Sequence, residues 1–90
     1  MNNINEETKT LFEKLERNGW KPPKVSSYQI RNSDGSPGGW VAQVYLVRES
    51  SRDITYQPLT EKNVRIYQTK EEADNVALRM GLDWLRRRVA

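Results

Sequence analysis

This chain of 90 residues contains no cysteine and no histidine. Without cysteine it forms no disulfide, and we expect a reducing compartment, the cytoplasm. Zinc sites built from Cys or His are excluded, as is catalysis by a His base or by Ser-His-Asp or Cys-His groups. The acidic pairs Glu6/Glu7 and Glu71/Glu72 stand at predicted helix starts, where capping explains them. We therefore predict no enzymatic activity, no metal and no cofactor.

Long apolar runs are also absent, so we predict no membrane span. The start "MNNINEE" has neither the basic residues nor the apolar run of a signal peptide, and no feature of the chain implies a small-molecule substrate. The excess of positive charge is small, since 15 Lys and Arg stand against 12 Asp and Glu, a net charge of +3. A nucleic-acid partner would require that excess to be concentrated on one face.

Two segments have the periodicity and the end signals of helices. The first has Asn5 as its N-cap and Gly19 as its stop, with Leu11 and Leu15 on one apolar stripe. The second begins with Thr69 and, three residues later, Glu72, which form a capping box. Its apolar residues form one stripe of Ala73, Ala77, Met80 and Trp84, and a second of Leu78, Leu82, Leu85 and Val89.

Alternating residues between the helices predict extended strands over residues 25–31, 40–48, 52–59 and 64–68, the last two being either separate strands or one irregular strand. In the second of these, Trp40, Ala42, Val44 and Leu46 share one face. The segment "NSDGSPGG" is rich in turn formers and predicts a hairpin loop between the first two strands.

The order of these elements predicts an α+β fold, αβββ(β)α. It has an antiparallel sheet of three or four strands with both helices packed on one face. The second helix would place one stripe on the sheet and the other on the first helix. We expect a single domain over residues 1–90, with a flexible start at residues 1–5 and a core over about residues 6–88.

The order and two motifs resemble the double-stranded RNA-binding domain family. "SYQIRNSDGSPGGWVAQVYLV" is similar to its first hairpin, and "TKEEADNVALRMGLDWL" to its last helix. The resemblance covers residues 6–85 and implies a compact α+β module that binds duplex RNA. The family's loop histidine is missing, and Glu71 and Asp74 stand where that family has lysines, so the shape carries over better than the phosphate contacts do.

Basic residues near both helices are the first candidates for binding duplex RNA or DNA. They are Arg17, Lys21, Lys24, Lys70, Arg86, Arg87 and Arg88. Solvated loops and cations that complement a helix dipole are the alternative explanations. A second candidate surface is the sheet face turned away from the helices, where side chains would stack on bases or enter a groove. We assign to it Arg31, Tyr45, Arg65 and Tyr67.

The second stripe of the last helix, Leu78, Leu82, Leu85 and Val89, supports a different function. If the first helix does not cover it, this stripe is an apolar surface for a protein partner or a second copy of the chain. We therefore keep a protein-interaction module, either a homodimer or an adaptor, as the alternative to nucleic-acid binding.

Overall fold

The computed structural model describes the backbone of residues 3–89 and the side chains of residues 9–88. Over that range the chain forms two helices and five antiparallel strands. These are α1 (Asn3–Arg17), β1 (Lys24–Val25), β2 (Tyr28–Arg31), β3 (Pro37–Val41), β4 (Gln43–Glu49), β5 (Ile54–Thr60) and α2 (Lys70–Val89). The predicted α+β class, with helices packed on an antiparallel sheet, is confirmed.

The β-layer consists of two sheets, one of three strands in the order β1-β4-β5 and one of two strands, β2-β3, whereas the sequence predicted one sheet of three or four strands. β1 pairs with β4 and β2 pairs with β3, and β5 pairs with the other edge of β4. The first two predicted strands are each interrupted, at residues 26–27 and at Ala42. The Ser26 N–H donates to the Gln43 carbonyl at 2.8 Å, so hydrogen bonding continues past the bend.

The predicted strand over residues 64–68 is reduced to one bridge. Tyr67 and Trp40 exchange backbone hydrogen bonds of 2.7 and 2.8 Å. The chain enters the cap of α2 at Thr69, two residues later, so the pairing does not continue beyond Tyr67. The Glu72 N–H donates to Thr69 Oγ1 at 3.2 Å, and this confirms the predicted cap.

Helix α1 begins at Asn3, so Asn5 lies inside the helix and is not its cap. Of the start predicted as flexible, residues 3–5 are helical and residues 1–2 lie outside the described range. The end of α1 matches the prediction. Gly19 has φ +85°, its N–H donates to the Glu16 carbonyl, and the Trp20 N–H donates to the Leu15 carbonyl. This pattern is a Schellman motif, completed by packing of Trp20 on Leu15.

Both helices cover the same face of the β-layer. Ala42 and Val44 pack with Ala73 and Ala77 of α2 in one buried cluster. A second cluster joins Leu15 of α1, Leu46 of β4 and Leu85 of α2, all at most 1% exposed.

The sequence predicted that one apolar stripe of α2 packs on the sheet and the other on α1, and this prediction was wrong in part. Leu85 packs on the sheet and on α1 at once, and Trp84 packs against the same cluster as Leu85. Leu78 remains 41% exposed, so α1 covers less of α2 than the sequence predicted.

None of the helices in the described part of the chain combines the length and the apolar character needed to cross a bilayer.

Candidate nucleic-acid interface

The face of the sheet opposite the helices carries a group of exposed aromatic and aliphatic side chains. Because Val44 and Leu46 point into the core, the alternate residues of β4 point away from it. The register pairs these outward residues with those of β5: Tyr45 with Pro58, Val47 with Tyr56, and Glu49 with Ile54. We call this surface the open face.

The open face is only partly covered. Tyr56 is 65% exposed, Ile54 54% and Tyr45 37%, whereas Val47 is 7% exposed. The segment of residues 20–24, which we call the strap, runs along the edge of β4, where the Lys21 N–H donates to the Val47 carbonyl at 2.8 Å. A groove of about 450 Å³ lies between the strap and Tyr56, with Lys21, Lys24, Val47 and Glu49 among its lining residues.

The groove contains two cations and one anion. Lys21 Nζ lies 3.3 Å from Glu49 Oε2, so these two charges largely offset each other. Lys24 is paired in register with Tyr45 and forms no ion pair among the described side chains. One uncompensated positive charge therefore lies beside the exposed rings.

Of the four residues predicted for this face, the structure places only Tyr45 there with its ring exposed. Arg31 is tied to the hairpin turn, where its Nη1 donates to the Gly35 carbonyl at 3.1 Å. Arg65 lies in the segment between β5 and α2. Tyr67 packs against the buried cluster under α2, which corrects its predicted place on the outer face.

The side chain of Tyr67 is oriented by Glu61. Its hydroxyl donates to Glu61 Oε1 at 2.8 Å. Burial raises the pKa of this phenol, and the hydrogen bond to Glu61 raises the pKa further. Tyr67 is therefore a neutral packing residue rather than a surface for bases.

Sequence reasoning missed Tyr56 and Ile54. The alternation of "ITY" within a predicted strand was the available signal. This alternation does not show which residues lie next to Tyr56 and Ile54. The register of β5 on β4 does, because it sets these two side chains beside Tyr45 and Val47.

Several arginines gather at the other candidate surface, where α2 ends. The rings of Trp20 and Trp84 meet edge to face, with centroids 5.2 Å apart. The Arg88 guanidinium lies 4.5 Å from the Trp84 ring centroid, and that of Arg48 lies 5.9 Å from the Trp20 ring centroid. The Arg48 Nε also donates to the Asn18 carbonyl at 2.9 Å. We call this surface the arginine end.

Other predicted basic residues belong to the same end. Arg17 closes α1 next to Asn18, and Arg86 and Arg87 lie in the last turn of α2. Arg86 Nη1 lies 3.7 Å from Asp83 Oδ1. Among the described side chains, Arg17, Arg87 and Arg88 form no ion pair.

Lys70 does not join them. It opens α2 and lies about 27 Å from Arg88 along the helix, at a rise of about 1.5 Å per residue. Its Nζ is 2.6 Å from Asp74 Oδ2, and this hydrogen bond lowers the pKa of the Asp74 carboxyl. The predicted basic residues are therefore split between the strap, the arginine end and the start of α2, and they do not form one patch.

The predicted protein interface is smaller than expected. Leu85 is fully buried and cannot contact a partner. The Val89 side chain lies outside the described range. Leu78 and the half-buried Leu82 line a surface cavity of about 340 Å³ with Asn75, Arg79, Asp83 and Arg86.

A larger cavity, of about 480 Å³, lies beside the end of α1. Phe12, Trp20 and Pro22 supply apolar walls, and Glu16 and Glu49 supply carboxylates. Lys21 also lines the cavity and offsets Glu49, but Glu16 forms no ion pair among the described side chains. The Glu16 carboxylate would repel phosphate, so this cavity is not part of the interface. Within the described residues no group of three or more Asp and Glu side chains is placed to hold a metal ion.

Comparison of the chain with models of protein families, with curated proteins and with solved structures found no match.

Proposed function

We propose that this protein is a small, non-catalytic module of the cytoplasm that binds duplex RNA or DNA, and that the arginine end contacts the phosphate backbone. The observation that carries the proposal is the placement of Arg48 and Arg88 on the rings of Trp20 and Trp84. Arg17 and Arg87, which also lack an ion pair among the described side chains, add positive charge at the same end.

The tryptophan rings give these guanidinium groups a defined position. A guanidinium against an aromatic face keeps its N–H groups directed outward and loses less freedom when it binds a phosphate. Arginine donates two parallel hydrogen bonds to phosphate, which makes it suited to backbone recognition. Such contacts carry no base sequence information, so we expect binding that depends on salt and little on sequence.

Titration of short RNA and DNA duplexes at several salt concentrations tests the proposal. For the variant Arg87→Gln/Arg88→Gln we expect weaker binding to DNA and a slope of log K against log salt that is less steep by about 0.9 per lost phosphate contact. Arg87→Gln alone, which leaves the Arg88–Trp84 contact intact, should give a smaller change in the same direction.

The matched control is Lys70→Gln, which removes one cation from the same helix at the end far from Trp84. Because Asp74 already engages Lys70, we expect this variant to keep the salt slope of the unmodified protein. Duplex binding no tighter than millimolar at low salt would refute the proposal, as would equal slopes for the arginine and lysine variants.

A protein-interaction module is the second candidate, and the exposure of Leu78 favours it. If α2 mediates self-association, Leu78→Asp yields a folded monomer where the unmodified chain sediments as a dimer. Leu85→Asp should instead unfold the protein, because it places a charge in the buried cluster. Sedimentation of the unmodified chain as a monomer at high concentration would eliminate the homodimer.

A further inference from the structure

We propose that the open face is a separate binding surface for an unpaired stretch of RNA or DNA. Tyr45 and Tyr56 stack on successive bases, and Lys24, on the side of Tyr45 away from Tyr56, contacts the backbone next to the base on Tyr45. The inference shares its class of ligand with the proposed function but depends on a different surface, so each can fail without the other.

The geometry of the two rings is the first support. Tyr45 pairs with Pro58 and Tyr56 pairs with Val47, so the two tyrosines are diagonal neighbours on one face of two adjacent strands. Such neighbours lie about 7–8 Å apart at Cα. Two aromatic side chains at this spacing on one face of a sheet form a platform on which bases stack regardless of sequence.

The rings are also free to receive a ligand. Neither tyrosine is held by a strong side-chain hydrogen bond among the described residues: Tyr45 Oη accepts only a long one, 3.5 Å, from Gln43 Nε2. The strap covers Val47 but stops short of Tyr56, which keeps 65% of its surface in solvent. A cluster of exposed apolar side chains of this kind is typical of a surface that a partner covers.

The charge beside the platform selects the kind of partner. Lys24 lies directly opposite Tyr45 in the register, and the one carboxylate of the groove, Glu49, is engaged by Lys21. A phosphate next to the base on Tyr45 would meet the Lys24 ammonium, which forms no ion pair among the described side chains. A second copy of the chain would fit less well, because a two-fold interface brings identical patches together and this patch has an excess of lysine.

The shape of the surface selects the state of the nucleic acid. In a duplex the bases are stacked on one another, so their faces are not accessible to side chains on a sheet surface. Only unpaired nucleotides can turn their faces onto Tyr45 and Tyr56. The proposed ligand is therefore a single strand, or a single-stranded segment next to a duplex held at the arginine end.

The test compares binding of labelled single strands of about ten nucleotides, oligouridylate and oligothymidylate, with binding of a blunt duplex. Tyr56→Ala should weaken single-strand binding by at least about fivefold, the lower limit for loss of one stacked base. Tyr56→Phe keeps the ring and should bind as the unmodified chain does. Lys24→Gln should reduce the salt slope for single strands by about 0.7.

Two controls separate stacking from loss of fold. Phe12→Ala removes a ring that is as exposed as Tyr45, 37% in each case, but lies on the helical side of the molecule. It should leave single-strand binding unchanged, whereas Tyr45→Ala should weaken it. The ratio of oligouridylate to oligothymidylate affinity shows whether RNA or DNA is preferred.

Three results have distinct meanings. If Tyr45→Ala and Tyr56→Ala bind single strands as tightly as the unmodified chain, the inference is wrong. If duplexes bind and single strands do not, the inference is wrong and the proposed function stands. If single strands bind through the tyrosines and duplexes do not bind, the inference stands and the proposed function is wrong.

Discussion

Gly19 illustrates how a single residue connects a local signal to the tertiary structure. Its φ of +85° ends α1, and a Cβ at this position would overlap the backbone carbonyl oxygen of Glu49. The Glu49 N–H donates to the Gly19 carbonyl at 2.8 Å, so the end of α1 is tied to the end of β4. The same glycine therefore stops the helix and lets the sheet approach it.

The first prediction compares two glycines of nearly identical backbone conformation. Gly35 has φ +86°, and a Cβ there would meet nothing within 4 Å. Gly35→Ala should lower the free energy of unfolding by about 1–2 kcal/mol, the cost of the left-handed conformation. Gly19→Ala should lose that amount plus about 1–3 kcal/mol for the forced contact with Glu49.

Urea unfolding of both variants measures these free energies. Equal losses would show that the backbone of β4 does not press on Gly19, and the link between α1 and β4 would have to be abandoned.

The second prediction concerns the pH dependence of Asp74. Its carboxyl has a pKa below 3.8 in the folded chain, chiefly because Lys70 hydrogen-bonds to its charged form. A depressed folded pKa contributes stability above the unfolded pKa, and this contribution disappears as the pH falls through the folded value. The pair is partly exposed, so we expect it to stabilise the fold by only about 0.3–0.5 kcal/mol at neutral pH.

Urea unfolding of Lys70→Gln from neutral pH to below 3.8 tests this expectation. The variant should be less stable than the unmodified chain at neutral pH, and the two should converge in acid as Asp74 becomes protonated in both. A difference that stays constant across the range would assign the stability effect of Lys70 to something other than Asp74.

At the scale of elements, β5 is an edge strand of seven residues, none of them charged. The Val47 and Gln43 carbonyls accept bonds from Lys21 and Ser26, so these residues of β4 direct their backbone groups away from β5. In an antiparallel pair, directly opposed residues alternate between hydrogen-bonded and non-hydrogen-bonded pairs. Tyr56 and Pro58 lie opposite Val47 and Tyr45 in non-hydrogen-bonded pairs, so their backbone groups point to the free edge of β5. Pro58 has no N–H to offer there, which protects the edge from pairing with another chain.

The third prediction follows from this protection. Pro58→Thr supplies the missing backbone N–H donor and introduces a residue type that favours strands. The variant should therefore form larger assemblies than the unmodified chain does at the same concentration. Sedimentation velocity at several concentrations measures the change, and Gln57→Thr is the control because Gln57 directs its backbone groups to β4. Self-association of both variants to the same degree would argue against an edge mechanism.

The end of α1 and the start of α2 were predictable from the sequence because their signals act over a few residues. Thr69 with Glu72 and Gly19 after an apolar stripe need no distant partner to form their hydrogen bonds. The bend near Ala42 and the reduction of residues 64–68 to one bridge were not predictable, because pairing depends on residues far apart in the chain.

At the scale of the molecule, the chain forms a thin plate of 48 × 41 × 17 Å. Its radius of gyration of 15.4 Å exceeds the value of about 12 Å typical of a compact domain of this length. A plate of two layers buries one face of the sheet under the helices and leaves the other uncovered. This thinness accounts both for the two small buried clusters and for the exposure of Tyr56 on the open face.

The α+β class, the order of the elements and the inward face of Trp40, Ala42, Val44 and Leu46 follow from patterns of period 2 and 3.6 along the chain. The candidate surfaces do not follow from those patterns. The pairing of β5 with β4 placed Tyr56 beside Tyr45, and the meeting of α1 with α2 brought Arg48 and Arg88 to one end and left Lys70 at the other. The direction of a side chain is set by the local backbone, and it can therefore be predicted from the sequence. The choice of which surfaces pack together is set by the burial of apolar area between segments that are distant in sequence.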